Sequence, residues 1–291
     1  MSMVEIGISG WTYKGWRGTF YPPELPIKNE LSYASRELPS IEINGTFYCL
    51  QSPDSYRDWY DSTPENFIFS VKGSKFITHM KKLNDVEVPL ANFMASGLLI
   101  LKEKRGPFLW QFPPNMSFNP EKIETFLKLL PRDFKQAARL GKKNTLVNQP
   151  PYLKVDYNFP MKHAFEIRHD SFHNPWFIEL LRTYNVALVF ADTAGKWPYM
   201  EDITSDFIYV RLHGDRKIYV SGYDEAALDF WSRRIETWKS GGEAADRLTL
   251  TEELAPMRAR DVYVYFDNDA KVRAPVDAKF LICLLKQRRH L

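Results

Sequence analysis

The sequence predicts a single-domain (β/α)8 barrel of TIM type, on three observations. Eight β-rich runs recur along the chain, helical or loop segments separate them, and 291 residues are enough for eight such units. Strands that alternate with crossovers call for a parallel sheet, and eight of them favour closure over an open doubly wound sheet. The first run is not followed by a glycine-rich phosphate fingerprint, which weighs further against the open sheet.

In order, the runs are "VEIGISG" from Val4, "SIEINGTFY" from Ser40, "FIFSVKGS" from Phe67 and "GPFLWQFP" from Gly106, then "HAFEIRHDSF" from His163, "VALVFADT" from Val186, "FIYVRLHG" from Phe207 and "DVYVYFDND" from Asp261. Each is rich in β-branched or aromatic residues and bounded by Gly, Pro, Asn or Asp. Helices are expected over Ser52 to Asp61, with Pro53 in the first turn, and over Pro89 to Lys102, Pro120 to Leu130, Asn174 to Tyr184, Asp224 to Lys239 and Pro275 to Lys286. The first crossover, near Asn29 to Glu37, is short, and the one after "VALVFADT" hardly reads as a helix. Residues 131–160, between the fourth and fifth strands, exceed a barrel connection and carry Arg132, Lys135, Arg139, Lys142 and Lys143. They read as an insertion, with a solvated basic face favoured over a nucleic-acid or partner contact.

Composition bounds the partners. With 39 Lys and Arg against 36 Asp and Glu, the formal charge of +3 is too small for a nucleic-acid footprint over the whole surface, so any anion-binding bias is local. Cys49 and Cys283 lack the spacing of a zinc or redox motif, and no apolar run is long enough to span a membrane. A soluble cytoplasmic protein without a membrane partner is the expectation.

Strand side chains alternate between faces, so polar sets are expected to point into the barrel. In the second run Glu42, Asn44, Thr46 and Tyr48 oppose Ile41, Ile43 and Phe47. In the third, Ser70 and Lys72 oppose Phe67, Phe69 and Val71. Glu166 and Arg168 oppose Phe165 and Ile167 in the fifth, and Tyr209, Arg211 and His213 oppose Ile208, Val210 and Leu212 in the seventh. Gln111, Asp192, Asp267 and Asn268 trail their strands at the rim. Buried charges of this density are either mutually paired or functional. Their bias toward strand C-termini, where barrel enzymes build their sites, favours function.

Three chemistries compete. The leading one is acid–base work by Glu42, Glu166, Asp192 or His213 on a phosphorylated or otherwise anionic small molecule held by Lys72, Arg168 and Arg211. "ITHMKKL" directly follows the third strand and brings His79, Lys81 and Lys82 to the same mouth. Trp11, Tyr13, Trp16 and Arg17 of the first loop and Tyr48 of the second add aromatic and basic groups that suit sugars, bases and phosphate. The alternatives are a non-catalytic nucleotide or nucleic-acid binder, and a divalent-metal hydrolase or isomerase with Glu166, Asp192 and His213 as ligands. No His-and-carboxylate pair stands at ligand spacing, so no cofactor is predicted. No nucleophile elbow supports covalent catalysis. The residues do not specify an oligomeric state.

"GISGWTYKGWRGTFYP", "EINGTFY", "FSVKGSKFITHMKKL", "FEIRHDSF", "YVRLHG" and "VYVYFDNDA", in this order from Ile6 to about Pro275, resemble the YecE-like family, domain of unknown function 72. The resemblance implies a TIM-like barrel and carries no established activity. It marks Gly10, Trp11, Glu42, Asn44, Lys72, His79, Glu166, Arg168, Arg211, His213 and Asn268 as family-typical. Gly45 stands where Ser is expected, Asp267 where Asn is expected, and the insertion is longer than usual. Asp267 adds negative charge to a mouth otherwise read as anion-binding.

Overall fold

The computed structural model describes residues 2–288. The eight expected strands are present: β1 (Val4–Ser9), β2 (Ser40–Ile43), β3 (Ile68–Lys72), β4 (Arg105–Gln111), β5 (His163–Glu166), β6 (Ala187–Asp192), β7 (Phe207–Leu212) and β8 (Asp261–Phe266). They close in sequential order into a parallel barrel. The helices are α1 (Glu30–Glu37), α2 (Gly45–Tyr48), α3 (Pro53–Ser62), α4 (Glu87–Ala95), α5 (Pro120–Leu129), α6 (Phe134–Gly141), α7 (Pro175–Thr183), α8 (Glu225–Lys239) and α9 (Arg273–Arg288). As expected, no helix follows β6. No helix among the described residues is long and apolar enough to cross a membrane.

Contacts divide the chain into two compact units, one formed by the stretch up to Glu42 with that from His173 onward, the other by Ile43–Phe172. In the first unit β1 pairs with β8, Ile8 opposite Phe266, and with β2, Ser9 opposite Glu42. β7 lies between β6 and β8, with Arg211 opposite Ala191 and Tyr265. Trp231, Ile235 and Trp238 of α8 are buried, and Trp238 lies 5.1 Å from the ring of Phe190 on β6. The approach of β1 to β2 depends on Gly7. A Cβ at this position would overlap the Ser40 carbonyl, a backbone group that cannot rotate away. Gly7→Ala is therefore expected to destabilise by about 3 kcal/mol, the upper range for overpacking, read as a lower denaturant midpoint at unchanged slope.

In the second unit β4 pairs with β3 and β5, aligning Lys72 with Leu109 and Gln111 with Glu166. Three helix starts use the side chains that favour them: Ser52, Asn119 and Asp133 accept from the backbone N–H of Ser55, Lys122 and Gln136, and Pro follows the first two. The helix expected over Pro89 to Lys102 ends early. Ala95 closes α4, Gly97 takes φ of 125°, and a separate 3-10 turn runs over Leu98–Lys104. The insertion is ordered: α6 buries Phe134 and Ala137, Asp133 bridges to Pro160, and Lys143 pairs with Glu87 at 2.5 Å.

β2 departs from the sequence reading. It stops at Ile43, and "GTFY" winds into the short helix α2. The Thr46 hydroxyl lies within hydrogen-bond distance of the carbonyls of Ile43 (3.0 Å) and Lys72 (2.7 Å), the last residues of β2 and β3. With strand alternation lost, Tyr48 is 66% exposed instead of facing inward. Phe47 lies against Lys72 and His79 instead of packing outward.

Candidate functional site

In the second unit, β3, β4 and β5 bring Lys72, Gln111, Glu166 and Arg168 to their C-terminal ends. Glu166 is fully buried, and its charge is met by donors. Gln111 Nε2 reaches both carboxylate oxygens at 3.0 and 2.9 Å, and Arg168 reaches Oε1 through Nε at 3.0 Å and Nη2 at 3.0 Å. Gln111 thus orients Glu166, and Glu166 orients Arg168, whose side chain stays 11% exposed. Lys72 is 8% exposed, with Nζ 4.6 Å from the centre of the Phe47 ring.

His79 comes to this cluster on a wide π-helical turn, Phe76–Met80, the first part of "ITHMKKL". Its ring meets Phe47 edge-on at 5.0 Å. Burial, then the charges of Lys72 and Arg168, push its pKa down to about 4, against a smaller opposing pull from Glu166. The imidazole is therefore neutral at pH 7. Its Nδ1 lies 2.8 Å from the Thr78 hydroxyl, which also lies 3.3 Å from the Ser74 carbonyl. Both contacts are hydrogen bonds if Thr78 donates to Ser74 and Nδ1–H donates to Thr78, which leaves Nε2 with its lone pair. Lys82 turns elsewhere, donating to the Asn115 carbonyl. Asn44 is half-buried, and its buried Oδ1 has no hydrogen-bond partner among the described residues.

In the first unit, Glu42, Tyr209, Arg211 and His213 are all buried, and Arg211 joins them. Its Nε and Nη2 bind the two oxygens of Glu42 at 3.1 and 2.8 Å. Nη2 also reaches Ser9 Oγ at 3.1 Å and Asp267 Oδ2 at 3.0 Å. Ser9 and Tyr209 donate to Glu42 at 2.7 and 2.6 Å, so the carboxylate accepts four hydrogen bonds. His213 stands 3.3 Å from Arg211 Nη1 through Nε2 and 3.0 Å from Asp267 Oδ2 through Nδ1. Asp267, which differs from the family expectation, thus bridges the arginine and the histidine. Asp192 accepts from Tyr223 O–H at 3.0 Å and Ala194 N–H at 3.2 Å, and burial raises its pKa.

The remaining candidates have structural partners. Asn268 is buried and donates to Asp277 at 2.8 Å and to the Ser221 carbonyl at 3.0 Å, tying the end of β8 to α9. The half-buried Trp11 accepts from Tyr21 O–H through its carbonyl. Around it "GWTYKGWRGTFYP" packs as a loop: Trp16 stacks on Tyr13 at 4.5 Å and donates to the Asp269 carbonyl at 3.1 Å, and Arg17 pairs with Glu30. Among the described residues no three His, Cys, Asp or Glu side chains are grouped to hold a metal ion, and Glu166, Asp192 and His213 do not form such a group. Sequence reasoning missed Phe47, Ser9 and Tyr223. The first was placed on the wrong face by extending β2, and the other two carry no local signal of their partners.

Over 132 residues the chain is 26% identical to UPF0759 protein YunF of Bacillus subtilis (strain 168), a match covering 42% of this chain and 44% of that protein. Over 135 residues it is 27% identical to UPF0759 protein YecE of Escherichia coli (strain K12), covering 45% and 46%. The chain thus spans less than half the length of these curated relatives. The crystal structure of a DUF72 family protein from Thermotoga maritima MSB8 matches with a TM-score of 0.73 at 24% identity, covering 98% of this chain and 99% of that one. One from Enterococcus faecalis V583 gives 0.67 at 16% identity, covering 98% and 96%. These two likenesses concern the fold alone. The family model described as "Protein of unknown function DUF72" matches residues 5–291, and the chain belongs to that family.

Proposed function

We propose that this protein is an acid–base enzyme acting on a phosphorylated or otherwise anionic small molecule, bound at the Lys72, His79 and Arg168 cluster. One observation carries the reading: Lys72, Arg168 and Lys75 all act on His79, and burial followed by these charges pushes its pKa down to about 4. Burial disfavours any charge, but the part of the shift that the three cations supply favours a negative ligand. Lys72 and Arg168 hold the anion, and Nε2 of His79 accepts a proton from an adjacent O–H or C–H of the substrate. The imidazolium that forms is offset by the bound anion. Glu166 positions Arg168, since its two oxygens are held by Gln111 and Arg168. Glu42, held by Ser9, Tyr209 and Arg211, is a positioning residue in the same way. Cys49 and Cys283 are exposed free thiols, which supports a reducing cytoplasmic setting.

The test is an NMR titration of the His79 ring with and without inorganic phosphate. The free protein should show a pKa near 4, and saturating phosphate should raise it. Lys72→Ala should also raise it and weaken phosphate binding about tenfold or more. Phosphate affinity unchanged by Lys72→Ala, or a His79 titration indifferent to phosphate, removes the assignment.

A further inference from the structure

We propose that a cavity at the end of β6 is a second binding site, built for a small organic cation of the ammonium type. The cavity has a volume of about 340 Å³, within the range of small-molecule sites. It belongs wholly to the first unit and shares no residue with the anion cluster. Asp192, the last residue of β6, and Asp215 supply its charge. Trp197 and Tyr199 from the segment after β6, and Phe230 and Trp231 from α8, supply rings.

Three features specify a cation. First, Asp192 is fixed by Tyr223 and the Ala194 N–H, one donor to each oxygen, so each oxygen keeps acceptor capacity. Second, the lining carries two carboxylates and no basic side chain. Arg216 meets Asp215 at 3.5 Å from an exposed position, and Arg234 is already bound to Glu201 and Asp246. His213 is not part of the lining; its backbone N–H donates to the Asp192 carbonyl at 2.9 Å, and its ring lies 6.4 Å from that of Trp197. Burial and, less strongly, the charge of Asp215 raise the pKa of Asp192, an effect that a cation between the two carboxylates opposes. Third, the chain's own cations already use these rings. Lys196 Nζ sits 4.9 Å from the Trp197 ring and the Arg234 guanidinium 4.1 Å from Phe230. Ring faces that attract positive charge, beside fixed carboxylates, match the recognition chemistry of an alkylammonium.

Calorimetric titration of the full chain with choline tests this, alongside its uncharged isostere with carbon in place of the ammonium nitrogen, and glucose. Choline should bind, and the isostere about tenfold more weakly or less. Asp192→Asn should weaken choline binding by a similar factor. Phe230→Ala, at a residue 39% exposed and thus safe for folding, should weaken it several-fold. Equal binding of the isostere would make the cavity merely apolar. Glucose binding without choline would make it a site for hydroxylated ligands, and silence from all three would mean no site. Each of those results overturns the proposal.

Discussion

Replacing Arg211 with Met is expected to cost about 3–5 kcal/mol of stability, the range for breaking a buried ion pair. Arg211 and Glu42 are both fully buried. Met keeps much of the stem's volume but removes two of the four hydrogen bonds to Glu42 and the guanidinium's contacts with Asp267 and His213. Ser9 and Tyr209 still donate to the carboxylate, yet neither neutralises it. The remaining charge then lies in a barrel interior where ionisation costs several kcal/mol. Glu42→Gln added to Arg211→Met should recover part of the loss, because the stranded charge is gone. Urea unfolding of the four species in this cycle reads the result. A single-variant loss below about 1 kcal/mol, the size of a surface ion pair, would show the network to be solvent-screened.

Alternation along a strand is what made these residues legible. In β7 it separates Tyr209 and Arg211 from Ile208, Val210 and Leu212, and every residue in the strand is buried. A polar set in such a strand has nowhere to go but a paired interior. The partners are another matter. Glu42 and Arg211 lie 169 residues apart, and no periodicity states that they meet. The same holds for Tyr223 and Asp192, since a tyrosine in a loop carries no mark of its acceptor. β2 misled for a local reason. "GTFY" has strand propensity, but the chain turns helical after Asn44, with Thr46 placed against the buried strand-end carbonyls of Ile43 and Lys72. That turn is what sets Phe47 beside His79. The depressed pKa of His79 likewise arises from residues on three separate segments, so its position in "ITHMKKL" identified a basic stretch and not a neutral base.

Buried His163 should draw stability down as the pH falls, against an opposite contribution from Glu5, whose carboxyl is pushed up to about 7 by burial and then by the charge of Asp261. His163 is fully buried with both ring nitrogens engaged: Nδ1 accepts from Trp110 Nε1–H at 3.1 Å, and Nε2–H donates to the Pro131 carbonyl at 2.7 Å. That pattern fits only the neutral ring. A second proton on Nδ1 would face the indole N–H, donor against donor, and burial, aided by the charges of Arg132 and Arg105 and opposed by the Pro131 bond, pushes the pKa down to about 3. In the unfolded chain the group titrates near about 6.5. Between these values the unfolded state binds the proton and the folded state does not, so stability falls as pH drops through that window. From about pH 6.5 to about pH 4.5 the loss should approach ~2–3 kcal/mol for this one group. His79 titrates in the same direction and Glu5 in the opposite one, so the total slope does not isolate His163. His163→Gln does, because its carbonyl oxygen can accept from Trp110 and its amide can donate to Pro131 without titrating. Urea unfolding at about pH 7 and about pH 4.5 should show the variant losing ~2 kcal/mol less than the wild type between the two conditions. Equal losses would mean that His163 takes up its proton in the folded state, with the Trp110 bond giving way to admit it.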